Sequence, residues 1–167
     1  MYESADQTFV KLTDPDGLNF VRYNFFYSNF LVSKNRESEA KKILEGNISI
    51  LDNNLLLEQS LSFLNEKKAD ELGKIFNFNN PNHLIAEFFY LLANYYASDG
   101  EYKISNFYLN LSLFLNPNFI YNNLLLAENY FMLDNYIESK NIYSIFDSQN
   151  PTYYWYSKKR LAIIKSE

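Results

Sequence analysis

Hydrophobic residues recur along most of the chain at the spacing of amphipathic helices. Phe89, Leu92, Ala93 and Tyr96, for example, are spaced i, i+3, i+4 and i+7, which places them on one face of an α-helix. Stripes of this kind predict helices over 18–33, 36–45, 52–64, 67–76, 81–98, 101–115, 119–133, 136–146 and 152–165. The pattern therefore predicts an all-α protein, with Gly46 ending the second helix.

Two of these helix pairs share one sequence pattern at a constant interval of 34 residues. The first copy contains, in order, Phe89, Leu92, Ala93, Tyr96, Gly100, Tyr102, Ser105, Leu109 and Pro117. The second copy contains, at the matching places, Asn123, Leu126, Ala127, Tyr130, Asp134, Tyr136, Ser139, Tyr143 and Pro151. A fixed period of this length is the signature of a repeat architecture.

The residue types in this pattern have physical roles. Ala93 and Ser105 are small, so the two helices of the first copy can approach closely. Gly100 can adopt a positive φ and end the first helix, and Asp134 tolerates that conformation better than most residues do. Pro117 cannot continue the second helix. Each copy is therefore predicted to be a helix–turn–helix unit.

This pattern resembles the tetratricopeptide repeat family, and the chain is similar to bacterial tetratricopeptide proteins. The resemblance is specific over about 83–165 and degenerate before it, where Ala40 and Ala69 take the small place of the second helix and Leu57 replaces Ala93. It implies a right-handed α-solenoid of about four stacked antiparallel helix pairs plus a C-terminal capping helix. We expect a loose leader over 1–16, degenerate pairs over 17–82, and two clear repeats with the last helix over 83–167, in one continuous solenoid domain.

The family resemblance also implies a site. First helices of the repeats line a concave groove, so the chain is expected to be a non-enzymatic scaffold or adaptor that binds a protein or peptide there. The groove positions carried over are Asn54, Glu58, Glu87, Tyr90, Asn94, Tyr121, Leu124 and Glu128, ending with Trp155 and Lys158. Tyr90 and Leu124 stand where family members that grip a terminal carboxylate carry Lys. The expected partner instead has basic and apolar side chains.

Charge and composition narrow the function further. The net charge is −5, and between residues 75 and 157 only Lys103 and Lys140 are basic, against seven acidic residues. Nucleic-acid binding needs clustered cations, so no nucleic-acid partner is expected. The chain has no cysteine, and His83 is its single histidine, so we expect no disulfide, metal site, cofactor or catalytic residue.

Location and context stay open at the level of sequence. No apolar run approaches the ~20 residues of a membrane helix, so membrane insertion is not expected. The start of the chain lacks the pattern of a signal peptide, which favours the cytoplasm by default. An alternative is a structural helical fragment of a larger bacterial cell-envelope or secretion-assembly protein, in the periplasm or envelope. An uncapped end of the solenoid would invite self-association through exposed aromatic residues.

Overall fold

The computed structural model describes residues 2–13, 21–50 and 54–165. Over these residues the fold is all-α, as the hydrophobic pattern predicts, and no strand forms in them. The helices are α1 Tyr2–Leu12, α2 Val21–Val32, α3 Glu37–Ile50, α4 Leu55–Asn65, α5 Asp70–Ile75, α6 Pro81–Ser98, α7 Tyr102–Leu115, α8 Asn123–Met132, α9 Tyr136–Tyr143 and α10 Pro151–Ile164, with a 3₁₀ turn over Ile120–Asn122 before α8.

The chain divides into two compact units, Met1–Lys74 and Ile75–Glu167. In the first unit α1 packs on α2, α2 on α3, and α4 on both α2 and α3. In the second unit each helix packs on the next one in sequence, from α6 through α10. The single continuous solenoid, with its boundaries after residues 16 and 82, stays a prediction.

Four helix hairpins, α2–α3, α4–α5, α6–α7 and α8–α9, turn in the same way. The turn residue has a positive φ in each: 58° at Asn35, 59° at Lys67, 81° at Gly100 and 57° at Asp134. The residue after it donates its backbone N–H to the carbonyl five positions back. These bonds are Arg36 to Leu31, Lys68 to Phe63, Glu101 to Tyr96 and Asn135 to Tyr130, at 2.8–2.9 Å. They satisfy carbonyl groups that a helix end leaves unpaired.

The shared turn fixes the alignment of the repeats. The predicted left-handed conformation at Gly100 and Asp134 is confirmed. Counting back seven residues from each turn residue gives Ser28, Ser60, Ala93 and Ala127 as equivalent positions. The predicted alignment of the second pair, with Leu57 at this position, is therefore wrong by three residues. Lys67 adopts the left-handed conformation without being glycine or asparagine, so sequence gives no signal for that turn.

Two further predictions for the first unit are wrong. Residues 2–12 form α1 instead of part of a loose leader; residues 14–16 lie outside the described ranges. Asp6 anchors α1, because its carboxylate accepts hydrogen bonds from the Tyr27 hydroxyl at 2.7 Å and Arg36 Nη1 at 2.8 Å. In addition, α3 continues past Gly46 to Ile50. Gly46 is exposed and lacks a positive φ, so it lowers helix propensity without ending the helix.

Small residues bring the helices of the α6–α7 and α8–α9 hairpins together. Ala127 and Ser139 are completely buried, as are Ala93 and Ser105. Asn129, which is 1% exposed, links helix α8 to the preceding hairpin. Its amide Nδ2 donates to Ser105 Oγ at 2.7 Å and to Asn106 Oδ1 at 2.9 Å, both on α7.

Candidate protein-binding surface

The two groove positions predicted in the first unit belong to the start of α4. Asn54 is the N-cap residue, and its side-chain oxygen accepts a hydrogen bond from the Leu57 backbone N–H at 3.1 Å. Glu58, in the first turn of α4, is half-buried. The Asn54 side chain is therefore used to satisfy a helix end.

The groove positions on α6 differ in their exposure. Asn94 is exposed, whereas Glu87 and Tyr90 are half-buried. The Tyr90 ring packs against the buried cluster formed by Ala93, Leu109 and Leu126. Asn94 is therefore the α6 groove position most open to a partner.

The next groove positions are used mainly in packing. Tyr121 is 6% exposed, its hydroxyl donates to Asn150 Oδ1 at 2.8 Å, and its ring stacks on Tyr153 with centroids 4.4 Å apart. Leu124 packs against the cluster of Ala127, Tyr143 and Ile164. At the end of the series, Trp155 is 70% exposed. Lys158 is also exposed, with its Nζ 5.1 Å from the Tyr154 ring centroid.

Glu128 holds three helices together. Its Oε1 accepts hydrogen bonds from the hydroxyls of Tyr143 on α9 and Tyr156 on α10, the latter at 2.9 Å. Its Oε2 forms an ion pair with Arg160 Nη2 at 2.6 Å, and the Arg160 guanidinium lies 4.4 Å from the Phe131 ring centroid. Both oxygens of this predicted groove carboxylate therefore have donors inside the second unit.

The surroundings of this carboxylate change how its partners ionise. Burial, with the hydrogen bond to Glu128, raises the pKa of Tyr143. Burial and the Glu128 charge raise the pKa of Tyr156 to about 12. Both hydroxyls therefore remain protonated donors at neutral pH, and the network is structural in character.

Another part of the second unit exposes large apolar side chains. On α6, exposure is 50% for Leu84, 57% for Phe88, 41% for Leu91 and 65% for Tyr95. Their spacing of four, three and four residues places them in one stripe, opposite buried Ala86 and Ala93. On α7, Ile104, Phe107 and Phe114 are exposed by 41%, 60% and 82%. Each set lies on the outward side of its own helix, opposite the buried residues, and we call the seven residues together the α6–α7 face.

The equivalent positions of the next hairpin are covered by protein. Adding the 34-residue interval to Phe88, Leu91 and Tyr95 gives Asn122, Leu125 and Asn129. Asn122 and Asn129 are buried, and both donate hydrogen bonds to serine side chains of α7. In the α8–α9 hairpin, the surface equivalent to the α6 stripe therefore packs on the hairpin that precedes it.

The first unit covers the same positions. In α2 the equivalents of Leu91 and Tyr95 are Phe26 and Phe30, which are 3% and 8% exposed. Phe9 of α1 contacts Phe30 with ring centroids 5.5 Å apart, so α1 acts as a cap on α2. In α4 the three equivalent residues, Leu55, Glu58 and Ser62, are half-buried. Among the four hairpins, α6–α7 exposes this surface most.

No protein-family model, characterised protein or solved structure matches this chain.

Among the described residues, no group of three or more acidic, histidine or cysteine side chains could hold a metal ion. His83 is 8% exposed, and its Nδ1 accepts a hydrogen bond from the Asn77 backbone N–H at 3.0 Å. Across the described ranges, no helix is long and apolar enough to cross a membrane.

Proposed function

We propose that this chain is a non-enzymatic protein-binding scaffold, built as a right-handed α-solenoid of the tetratricopeptide type. The 34-residue pattern, the four identical hairpin turns and the consecutive packing of α6 through α10 support the proposal. Such a scaffold works by presenting surfaces on helices that are already folded. Binding then orders few residues, so little of the interaction energy is lost to conformational entropy.

The observation that carries the proposal is the exposed apolar surface of the α6–α7 face. Four of its seven residues are aromatic, and Phe114 is 82% exposed. Exposed apolar patches, in contrast to scattered single residues, mark interaction sites. Aromatic residues are also enriched in protein interfaces because one rigid side chain supplies a large contact area.

The concave groove remains part of the proposal as a secondary surface. Asn94, Trp155 and Lys158 are its exposed members in the second unit. Glu128 and Tyr121 contribute to folding instead, through Arg160 and Asn150 respectively. We therefore assign the main partner contact to the α6–α7 face.

Photo-crosslinking in cells of the source organism tests this function. A photoreactive phenylalanine analogue replaces Phe88, and in a control chain it replaces Ile137, which is 73% exposed on α9. We expect covalent polypeptide adducts from position 88 and few from position 137. Equal yields at both positions, or no adduct at position 88, would contradict a protein-binding role for this face.

A further inference from the structure

We infer that α1 occupies a helix-binding site on the α2–α3 hairpin, and that a helical segment of a partner protein takes this site when α1 leaves it. The partner segment carries a carboxylate and, three residues later, an aromatic ring, as α1 does at Asp6 and Phe9. The inference adds a second binding site to the proposed scaffold, on residues that the α6–α7 face does not include.

The site has two parts, and both belong to the α2–α3 hairpin. Tyr27 and Phe30 form an aromatic platform on α2: the Phe9 ring stacks on Tyr27 with centroids 5.3 Å apart and lies 5.5 Å from the Phe30 centroid. Two donors lie beside the platform, because Arg36 Nη1 and the Tyr27 hydroxyl bind the Asp6 carboxylate at 2.8 and 2.7 Å. Residues three apart share one face of a helix, so a single helix can bring its carboxylate to the donors and its ring to the platform.

The helix α1 covers a surface that is open elsewhere in the chain. Phe30, which α1 contacts, is 8% exposed, whereas Tyr95 at the equivalent place of α6 is 65% exposed. The α2–α3 hairpin also has a core of its own, with Leu31, Ala40 and Leu44 completely buried. Departure of α1 would therefore uncover an aromatic platform on a hairpin whose core does not include α1.

Few contacts hold α1 in place. Among the residues of α1 whose burial is described, 4–12, none is buried, and Phe9 is half-buried. The last helix, α10, by contrast buries Tyr153, Ser157 and Ile164. An isolated helix of 11 residues is marginal in water, so α1 loses its helical structure when it leaves the hairpin. Elements with so little buried surface open at a low free energy, and a competing helix can displace α1 without unfolding the unit.

A partner protein fits this site better than a second copy does. The helix α1 is joined to α2 through residues 13–20, and a segment tethered by a short linker competes at an effective concentration in about the millimolar range. The α1 of a second copy would make identical contacts at a lower concentration, so it would not displace the tethered one. The displacing segment must bind more tightly. A longer helix with the same carboxylate and ring would do so, because it adds contacts along α2.

Fluorescence anisotropy of the full chain tests the inference, with a fluorescein-labelled peptide of residues 2–13 as the probe. The double variant Asp6→Asn, Phe9→Ala removes the contacts of the chain's own α1 and keeps every residue of the site. We expect it to bind the peptide at least about tenfold more tightly than the wild-type chain does, because the tethered α1 no longer competes. Gln7→Ala with Thr8→Ala, at exposed positions of α1, is the matched control and should bind as weakly as the wild-type chain.

Further measurements separate specific binding from misfolding. A peptide with Asp6→Asn and Phe9→Ala should bind the double variant at least about tenfold more weakly, and so should the original peptide when Arg36→Gln is added to that variant, because a charge-assisted hydrogen bond is lost. In the isotopically labelled wild-type chain, excess unlabelled peptide should raise amide hydrogen exchange in α1 and not in α3, as followed by nuclear magnetic resonance. Equal affinity of the wild-type chain and the double variant, or binding that does not depend on the two peptide side chains, would overturn the inference.

This inference and the proposed function fail in different ways. If the double variant does not bind the peptide while position 88 captures a protein, the site on α2–α3 is refuted and the role of the α6–α7 face stands. If the double variant binds the peptide and position 88 captures nothing, the site on α2–α3 stands and the α6–α7 face loses its proposed role.

Discussion

Ser139 Oγ donates a hydrogen bond to the backbone carbonyl of Ala127 at 2.9 Å, and both residues are completely buried. The two residues are twelve positions apart and lie on opposite helices of the α8–α9 hairpin. A side chain larger than a methyl group at position 127 would push the Ser139 hydroxyl away from its acceptor. In α2–α3 the equivalent pair is reversed, with Ser28 Oγ donating to the Ala40 carbonyl at 3.4 Å.

We predict that Ala127→Leu destabilises the chain by about 1–3 kcal/mol, because inserting large side chains into a packed core forces shifts of the backbone. Urea unfolding followed by circular dichroism measures the change. Ala162→Leu, at an exposed position of α10, is the matched control and should change the free energy of unfolding by less than about 0.5 kcal/mol. Equal effects of the two substitutions would show that the α8–α9 contact is not tight.

The ion pair between Glu128 and Arg160 should contribute more stability than an exposed pair does. Glu128→Gln is expected to cost about 2 kcal/mol, the range for a hydrogen bond to a charged group, because three donors lose a charged acceptor. Arg160→Met should cost a similar amount. A double-mutant cycle measured by urea unfolding gives the coupling energy between the two residues.

Lys41 and Glu45 provide the matched control for that cycle. Their N–O distance is 3.7 Å, and their side chains are 44% and 51% exposed, against 18% and 27% for Arg160 and Glu128. We expect a coupling energy below about 0.5 kcal/mol for the exposed pair. A cycle at Glu128 and Arg160 that gives no more than this control would refute the structural role of Glu128.

His83 should make stability depend on pH. Burial lowers its pKa below the ordinary value of 6.5, and its Nδ1 must be unprotonated to accept the Asn77 N–H. The folded chain therefore binds fewer protons than the unfolded chain just below pH 6.5. The contribution to stability is present above that pH and is lost as the pH falls through the folded-state pKa.

Nuclear magnetic resonance measures this pKa directly, because the single histidine gives one set of ring signals. We expect the titration midpoint to lie below 6.5 in the folded chain. The matching fall in the free energy of unfolding between neutral and mildly acidic pH should be smaller in His83→Gln. A midpoint at or above 6.5 would contradict the buried environment of the ring.

Asp6 should control the docking of α1. The hydrogen bonds from Arg36 and Tyr27 lower the pKa of Asp6 below 3.8, so its stabilising contribution is present above that pH and is lost as the pH falls through the lowered value. Asp6→Asn should raise amide hydrogen exchange in α1 at neutral pH. Glu39→Gln removes another partner of Arg36, on α3, and should leave exchange in α1 unchanged. The reverse result would show that Asp6 does not anchor α1.

Local sequence pattern predicted the second unit well. The helix over 81–98 is confirmed at both ends, because Pro81 starts it and the turn at Gly100 follows its last residue. The small pairs were predictable because only small residues permit close helix approach, and Ala127 and Ser139 are buried as expected. These features depend on residues close in sequence, which a single chain reveals.

Contacts between distant residues were not predictable in the same way. The first twelve residues appear polar along the sequence, and the helix α1 depends on Tyr27 and Arg36, more than twenty positions away. From its local sequence, Glu128 is expected to face solvent. In the structure α10 brings Arg160, which lies 32 residues further along the chain, into hydrogen-bonding contact with it. The exposure of the α6 stripe could not be predicted either, because apolar residues on helices are usually buried.

Distances between spin labels test the central claim, the regular stacking of the hairpins, most directly. Because the chain lacks cysteine, labels attach only where cysteine is introduced. One pair is placed at exposed Ser98 and Met132, which are one 34-residue repeat apart, and the other at exposed Asn94 and Ala162, which are two repeats apart. Dilution with unlabelled chain removes distances between copies. A constant displacement per hairpin predicts that the second pair of labels lies about twice as far apart as the first. Distances that do not increase with the number of intervals would contradict the account.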